Sequence, residues 1–267
     1  MRAQVMGIVN VTPDSFSDGG RLATVEAAVA HALGLVGQGA DVLDIGGEST
    51  RPGAEPVNAA EEIARTVPVI EALRARTDTA ISIDTLKPEV AQAAVEAGAT
   101  MWNDVSALTF SPDSPAMAAA LGCEVVLMHM KGEPRTMQAA PAYDDVLAEV
   151  VDYLSGRAEA AMAAGVARER IWLDPGIGFG KTAAHNIALT AGLERLTALG
   201  LPVLYAASRK RTILSLDPTA TDPLDRLGGS LALALEGVRR GARMVRVHDV
   251  RETVQALTLQ AAIEAAG

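Results

Sequence analysis

The sequence predicts a single-domain α/β protein, a (β/α)8 barrel of the TIM type spanning residues 1–267. Eight short apolar segments alternate with Ala-rich helical patterns, and the segments are continuous, as expected for parallel strands that are buried on both faces. Eight strand–helix pairs in about 260 residues match the usual size of such a barrel. An open doubly wound sheet, with fewer strands and a ligand at one switch point, is the structural alternative.

Polar residues at the carboxyl ends of the apolar segments favour the barrel. The segments are residues 5–9, 42–45, 81–83, 101–102, 125–128, 171–173, 203–206 and 244–247. The polar residues at or just after their ends are Asn10, Asp44, Asp84, Asn103, His129, Asp174, Ser208 to Lys210, and Arg246 with His248. A barrel gathers these ends at one mouth. One such residue is usually a satisfied core group, whereas eight in succession indicate an active site.

The helical patterns between the strands end at glycines. The predicted helices cover residues 25–38, 59–76, 89–97, 114–121, 144–164, 184–199, 223–240 and 251–265. Gly39, Gly98, Gly165, Gly200 and Gly241 each stand just before the next strand, where glycine ends a helix in the left-handed conformation.

Composition excludes several classes of function. The net charge of −10 argues against binding to nucleic acid or to a membrane surface, since both need a basic protein field. No apolar run approaches the roughly 20 residues that span a bilayer, and the amino terminus lacks a signal pattern, so we expect a cytoplasmic protein. Cys123 is the only cysteine, and its apolar surroundings predict an inert buried thiol.

The loop after the first strand offers hard oxygen ligands. Residues 10–20 contain Asn10 and two carboxylates, one of them Asp18. Few carboxylates among oxygen ligands suit Mg²⁺ that is bound together with a substrate phosphate. A loop of Ser, Asp and Gly is also often only a turn.

Three other strand ends carry cationic groups for an anion. In the second loop Arg51 can fork onto a phosphate or carboxylate. The seventh loop, residues 208–211, brings a hydroxyl and an ammonium to the start of a helical turn. On the eighth strand Arg246 and His248 lie on one face, which predicts a phosphate clamp.

The sixth loop predicts a site for a flat ring. The glycines of residues 174–181 complete neither the dinucleotide fingerprint nor the Walker pattern, and they allow backbone to pack against a ring. Asp84, Asn103 and Asp174 would then supply fixed hydrogen bonds, a set that suits an amino-pyrimidinone. His129 ends the fifth strand, where a structural role is favoured over a catalytic one.

Seven motifs together resemble those of the dihydropteroate synthase family. They are GIVNVTPDSFSDGG at residues 7–20, DIGGESTRPG at 44–53, IDT at 83–85, NDV at 103–105, DPGIGFGK at 174–181, SRK at 208–210 and RVH at 246–248. The match runs in order over nearly the whole chain. It implies a (β/α)8 barrel and a transferase of folate biosynthesis that joins 6-hydroxymethyl-7,8-dihydropterin pyrophosphate to p-aminobenzoate, releasing pyrophosphate and 7,8-dihydropteroate.

The resemblance also implies roles for individual residues. The pterin would be held by Asp84, Asn103, Asp174, Lys210 and Asp44, of which Asp84, Asp174 and Lys210 are the expected catalytic residues. The pyrophosphate would be held by Asn10, Arg246 and His248. The p-aminobenzoate would be held by Thr50, Arg51, Pro52, Phe179 and Ser208. Mg²⁺ would be bound at Asn10 and Asp18. The family further implies a homodimer, small-molecule substrates only, and sulfonamides as inhibitors.

Two other functions fit part of the pattern. A methyltetrahydrofolate methyltransferase would share the pterin carboxylates but needs neither the first loop nor the pyrophosphate clamp. A pterin-binding paralogue without activity would be expected to lose residues of the first loop or of the motif at 208–210, and this chain keeps both.

Overall fold

The structure, a computed structural model, describes residues 2–11, 25–48, 56–132 and 136–266. Within these ranges the chain forms eight strands, ten α-helices and two 3₁₀ turns. The strands are β1 (Gln4–Asn10), β2 (Val42–Gly46), β3 (Ala80–Asp84), β4 (Met101–Asp104), β5 (Glu124–Met128), β6 (Ile171–Asp174), β7 (Leu204–Tyr205) and β8 (Met244–Val247). The helices are α1 (Val25–Gly37), α2 (Ala59–Arg74), α3 (Pro88–Glu96), α4 (Ser114–Leu121), α5 (Val146–Ala163), α6 (Ala183–Ala191), α7 (Glu194–Thr197), α8 (Arg211–Leu216), α9 (Leu227–Arg239) and α10 (Val250–Ala266). The 3₁₀ turns are Arg168–Arg170 and Pro223–Arg226.

All strand pairs are parallel, and their order closes a barrel. The sheet runs β6-β5-β4-β3-β2-β1-β8-β7. A parallel bridge between Leu173 and Val203 joins its two edges, and the amide of Leu173 donates to the carbonyl oxygen of Pro202 at 2.9 Å. The predicted (β/α)8 barrel is therefore confirmed, and the open-sheet alternative is wrong.

Period-2 alternation along the strands divides the barrel interior into an apolar floor and a polar mouth. The floor is a buried cluster of Met6, Val42, Met101, Val126, Trp172, Leu204 and Met244, with Ala80 packed against it. Two residues further along several of these strands, on the same face, stand the residues Asp44, Asn103, Asp174 and Arg246. The interior face thus becomes polar at the carboxyl ends, which explains why the predicted site residues meet there.

The outward faces of the strands pack against the helices in one continuous core. Leu43, Ile81 and Ile83 are fully buried there, together with Ile70 and Leu73 of α2. Burying an aliphatic side chain of this size contributes on the order of 1.5–3 kcal/mol. A core with few aromatics is built by such close aliphatic packing, and it holds the strand ends in place.

Side-chain caps and glycines set the helix ends. Asp145 accepts hydrogen bonds from the amides of Leu147 and Ala148, each at 3.0 Å, at the start of α5. The five glycines predicted to end helices all have positive φ, as the prediction requires: Gly39, Gly98, Gly165, Gly200 and Gly241. At these positions the left-handed conformation suits glycine because it has no Cβ.

Two predicted helices are shorter or divided in the structure. The pattern at residues 184–199 is broken at Gly192 into α6 and α7, and a Cβ at this glycine would overlap Leu147 of α5. The pattern at 223–240 begins as a 3₁₀ turn at Pro223 before α9 starts. A third helix, α8, has only six residues, and the sequence indicated it only as a helical turn.

Two predictions from composition have a structural counterpart. None of the described helices combines the length and apolarity that a membrane crossing needs. Cys123 is buried as predicted, and burial raises the pKa of its thiol to about 11, which disfavours the reactive thiolate near neutral pH.

Helix α9 approaches the barrel through a glycine. A Cβ on the buried Gly237 would stand 2.7 Å from Cδ1 and 2.9 Å from Cγ of Tyr205. We expect Gly237→Ala to lower the free energy of unfolding by about 1–3 kcal/mol, because the ring and the helix must move apart. Urea unfolding measures the change.

Gly156, in the middle of α5, provides the matched control because a Cβ there meets nothing within 4 Å. Gly156→Ala should leave the stability unchanged or raise it by up to about 1 kcal/mol, since alanine favours helix. Equal unfolding midpoints for the two variants would contradict the packing account.

Candidate active site

A cavity of about 580 Å³ opens at the carboxyl ends of the strands. It brings together predicted residues that are far apart in sequence: Asn10, Asp84, Asn103, Asp174, Phe179, Ser208, Lys210, Arg246 and His248. Its volume suits a small organic substrate. Asp44 lies beneath this surface and is fully buried.

The charged centre of the site is Arg246 between two carboxylates. Its Nε donates to Oδ2 of Asp44 at 2.5 Å, and its Nη2 donates to Oδ2 of Asp84 at 2.7 Å. The amide Nδ2 of Asn103 donates to the same oxygen of Asp44 at 3.2 Å. One guanidinium therefore links β8 to β2 and β3, across β1.

Burial and ion pairing act on these groups in opposite directions. Burial raises the pKa of Asp84 to about 7, against the pull of Arg246, and the neighbouring Asp44 adds to the rise. The two carboxylates in turn raise the pKa of Arg246, so the guanidinium stays charged. With two carboxylates to one guanidinium, the centre carries more acidic than basic groups and suits a ligand with N–H donors.

Two carboxylate oxygens in this centre lack a donor. Within the described part of the chain, Oδ1 of Asp84 and Oδ1 of Asp44 are buried and accept no hydrogen bond. A buried acceptor left in this state costs about 1–3 kcal/mol. Asp84 borders the cavity whereas Asp44 does not, so Asp84 is the acceptor that a ligand can reach.

A second pair of opposite charges lies across the cavity. Oδ1 of Asp174 accepts a hydrogen bond from the amide of Gly176 at 2.7 Å, and burial raises the pKa of this carboxyl. The Nζ of Lys210 donates to the carbonyl oxygen of Ile177 and stands 4.8 Å from the ring centroid of Phe179. Burial lowers the pKa of Lys210 to about 8, although the charge of Asp174 opposes this.

The turn that carries Ser208 and Lys210 has a left-handed residue at its centre. Arg209 has φ +57°, a conformation that costs a non-glycine residue roughly 1–2 kcal/mol. Its guanidinium forks onto Asp249 with distances of 3.0 and 2.6 Å, its amide donates to Oγ of Ser230 at 2.9 Å, and its carbonyl accepts from Arg226 at 3.0 Å. These contacts hold the turn at the start of α8.

Ser208 is paired with His248. The distance from Oγ of Ser208 to Nδ1 of His248 is 3.0 Å, and the backbone amide of His248 donates to the same hydroxyl at 3.2 Å. The structure thus joins the ends of β7 and β8, and it brings a residue expected at the p-aminobenzoate site next to one expected at the pyrophosphate site.

The donors available to Mg²⁺ are few. Asn10 ends β1 at the cavity, and its amide oxygen is a hard ligand. Among the residues that the structure describes, no three or more His, Cys, Asp or Glu side chains are grouped to hold a metal ion. This donor set fits an Mg²⁺ ion that keeps water ligands and arrives with a phosphate better than an ion held by the protein alone.

Four predicted site residues lie outside the described residues. They are Asp18 of the first loop and Thr50, Arg51 and Pro52 of the second. Their roles stay predictions.

A buried ion network next to the site was not predicted. Nζ of Lys87 donates to Glu48, which lines the cavity, and to Oε2 of the fully buried Glu62 at 2.7 Å. Lys87 is also the N-cap residue of α3, three residues after the end of β3. Because 39 and 25 residues separate Lys87 from its partners in sequence, no local spacing signals the network.

Lys181 was also given no role by the sequence, although it ends the motif at residues 174–181. It lines the cavity wall but is only 3% exposed. Its Nζ lies 2.9 Å from Nδ1 of His129, which gives His129 the structural role that the sequence favoured.

Comparison with known proteins identifies relatives over nearly the whole chain. The family model described as pterin binding enzyme matches residues 6–248. The chain is 48% identical over 253 residues to the dihydropteroate synthase of Escherichia coli strain K12, which covers 95% of this chain and 89% of the relative.

Solved structures are equally similar. The dihydropteroate synthase of Xanthomonas albilineans with 4-aminobenzoic acid superposes with a TM-score of 0.92 at 55% identity, over 99% of this chain and 94% of that one. The dihydropteroate synthase of Yersinia pestis in a sulfonamide drug complex superposes with a TM-score of 0.95 at 45% identity, over 99% and 95% of the two chains.

Proposed function

The chain belongs to the pterin binding enzyme family, and from this premise we propose that it is a dihydropteroate synthase. It is a transferase that condenses 6-hydroxymethyl-7,8-dihydropterin pyrophosphate with p-aminobenzoate to give 7,8-dihydropteroate and pyrophosphate. The observation that carries the proposal is the cavity at the barrel mouth, where buried carboxylates, an amide and two cationic groups converge. The named relatives support the same reaction.

The pterin ring binds between the carboxylates of Asp84 and Asp174. Oδ1 of Asp84 is a buried acceptor without a donor, so it suits an N–H group of the ring. Asn103 adds an amide between them, and Lys210 adds a donor for a ring acceptor. Asp44 acts behind this layer, because it holds both Arg246 and Asn103 in place.

The pyrophosphate binds at the ends of β1 and β8. Arg246 uses Nε and Nη2 on carboxylates, while its Nη1 makes no hydrogen bond within the described part of the chain. His248 and Asn10 border the same side of the cavity. We assign Mg²⁺ to Asn10 and Asp18, where the ion would neutralise the charge of the leaving group.

The reaction needs no base or covalent nucleophile from the protein. The bond between the pterin methylene carbon and the bridging oxygen breaks, and its electron pair leaves with pyrophosphate. The carboxylates of Asp84 and Asp174 stabilise the delocalised pterin cation that remains. The amine nitrogen of p-aminobenzoate then forms the new C–N bond and loses one proton. The share of the protein is orientation and charge stabilisation.

The amine enters on the side of Phe179 and Ser208, with Thr50, Arg51 and Pro52 of the second loop completing its site. The Phe179 ring lies beside Lys210, which also touches the pterin side, so the two substrates meet at this lysine. Sulfonamides, which are shaped like the amine, would compete here, in keeping with the Yersinia pestis relative in a sulfonamide drug complex.

The two alternatives are disfavoured by what the chain retains. A methyltransferase acting on methyltetrahydrofolate has no use for a pyrophosphate clamp, and Arg246 and His248 are present. A paralogue without activity would be expected to lose the seventh loop, and Ser208 and Lys210 are present at the cavity. From the family we also carry over a cytoplasmic location and a homodimer as parts of the proposal.

Turnover with both substrates tests the reaction directly. We expect formation of 7,8-dihydropteroate and pyrophosphate from the pterin pyrophosphate and p-aminobenzoate in the presence of Mg²⁺, measured by product chromatography. A protein that binds the pterin but forms no product would support the paralogue. Transfer of a methyl group from methyltetrahydrofolate to a corrinoid protein would support the methyltransferase.

Loss of either charged residue that faces the ring should slow the reaction. We expect Asp174→Asn and Lys210→Ala each to lower kcat/KM by about 10²-fold or more, the scale for losing a preorganised contact in a site that excludes water. Asp217→Asn and Arg239→Ala, both on the outer surface, are the controls and should keep the kinetics of the unmodified protein. A folded Asp174 or Lys210 variant with unchanged kinetics would remove that residue from the site.

The metal requirement can be tested by chelation. We expect excess EDTA to abolish turnover and added Mg²⁺ to restore it, because the described residues offer few ligands and the pyrophosphate needs its charge neutralised. Product formation is the readout. Undiminished turnover in EDTA would show that Arg246 and His248 suffice for the leaving group.

A further inference from the structure

We propose that Lys181 is a positioning residue for the second substrate, because it holds the loop of residues 176–180 from beneath and so fixes Phe179 and the partner of Lys210. The proposal rests on the proposed function, since it assigns the loop to the p-aminobenzoate side of that site. Lys181 itself need not touch either substrate.

The ammonium group of Lys181 is surrounded by neutral acceptors. Its Nζ lies 3.0 Å from the carbonyl oxygens of Gly176 and Phe179, 3.2 Å from that of His129, and 2.9 Å from Nδ1 of His129. Burial lowers the pKa of His129 to about 3, so its ring is neutral near pH 7 and Nδ1 accepts. The cation thus ties the loop after β6 to the end of β5.

The loop has no regular structure, yet side chains bind every one of its carbonyl groups. Those of Gly176 and Phe179 accept from Lys181, and the other three accept from side chains distant in sequence: Ile177 from Lys210, Gly178 from Gln138, and Gly180 from the hydroxyl of Tyr143. Lys181 is the one donor that serves two of them. Five side-chain hydrogen bonds on five consecutive carbonyls define one backbone path.

Two glycines let this loop lie directly on residues 129–131, which follow the end of β5. Gly176 has φ +65° and Gly180 has φ +63°, and a Cβ on either would overlap a carbonyl oxygen, that of His129 or that of Lys131. The close approach brings the carbonyl groups of both segments around one point. Lys181 fills that point with three N–H donors.

Among the residues that the structure describes, no carboxylate makes a hydrogen bond to Lys181, and burying a cation in this way is costly, which indicates a functional role for it. Burial lowers the pKa of Lys181 to about 7, and the charge of Asp174 only partly opposes this. A methionine of similar length would fill the same space without a desolvation cost. Methionine has no N–H donor, however, so it cannot hold the carbonyls of Gly176 and Phe179 in their present orientation.

The loop carries two groups that contact Lys210 of the proposed site. Its Ile177 carbonyl anchors the ammonium of Lys210, and its Phe179 ring lies 4.8 Å from that ammonium. The pterin contacts Asp84, Asn103 and Asp174 stand on strands that the barrel holds in place. The loop reaches the pterin side only through the amide of Gly176, which donates to Asp174, and through the carbonyl of Ile177, which accepts from Lys210. Loosening the loop should therefore affect the amine far more than the pterin.

Lys181→Met removes the charge and the donors, and Lys181→Gln keeps two donors without the charge. Lys131→Met is the matched control, because Lys131 is the exposed lysine of the adjacent loop, and its side chain contacts Glu149, the carbonyl of Ala142 and the face of Tyr143 among the described residues. The first measurement is hydrogen–deuterium exchange of the peptide covering residues 176–180 without ligand. The second is the KM of each substrate with the other saturating.

We expect Lys181→Met to speed exchange in this peptide by about tenfold or more and to raise the KM for p-aminobenzoate about tenfold. The KM for the pterin pyrophosphate should change by less than about twofold. Lys181→Gln should lie between Lys181→Met and the unmodified protein, and Lys131→Met should match the unmodified protein. If Lys181→Met does not fold, the same two measurements on Lys181→Gln decide.

Unchanged exchange in a folded Lys181 variant would overturn the proposal. So would faster exchange with both KM values unchanged or equally raised, because Lys181 would then serve stability alone. Absence of turnover in the unmodified protein would count against the proposed function instead. The exchange measurement needs no substrate, so it would still test whether Lys181 holds the loop of residues 176–180.

Discussion

The arrangement of the site depends on the ion pairs of Arg246 at the mouth of the barrel. Its guanidinium bonds to Asp44 and Asp84, so β8 is linked to β2 and β3 inside the ring of strands. Removing one partner of a buried pair leaves an uncompensated charge and costs about 3–5 kcal/mol. The same contacts orient Asp84 toward the cavity and hold Asp44, which in turn fixes Asn103. The ion pairs of Arg246 therefore set both the charge balance of the site and the orientation of its carboxylates.

Much of this could be predicted because the barrel obeys local rules. Parallel strands that are buried on both faces appear in the sequence as short apolar runs, and their place at the carboxyl ends of these runs assigns Asp44, Asn103, Asp174 and Arg246 to the mouth of the barrel. Glycines such as Gly98 and Gly241 mark helix ends because only they adopt the left-handed conformation without strain. Fold and mouth residues follow from these patterns without any knowledge of long-range contacts.

The rest depends on partners that no spacing reveals. The pairing of Lys87 with Glu48 and Glu62 joins separate strand–helix units, and the four side chains that bind the five carbonyls of residues 176–180 come from four places in the chain. The family resemblance assigns Ser208 to p-aminobenzoate and His248 to pyrophosphate, whereas the two side chains are paired in the structure. The break at Gly192 likewise reflects packing against Leu147, which lies on another helix.

Few lysine side chains of this protein are accessible to a reagent. The sequence contains only four, Lys87, Lys131, Lys181 and Lys210. Lys87 and Lys181 are buried, Lys131 is exposed, and Lys210 faces the cavity with its pKa lowered to about 8. An amine-reactive label in mild alkali therefore meets one lysine on the outside and one in the site. Because burial lowers the pKa of Lys210, covalent probes built on the shape of a substrate should react with its amine in mild alkali.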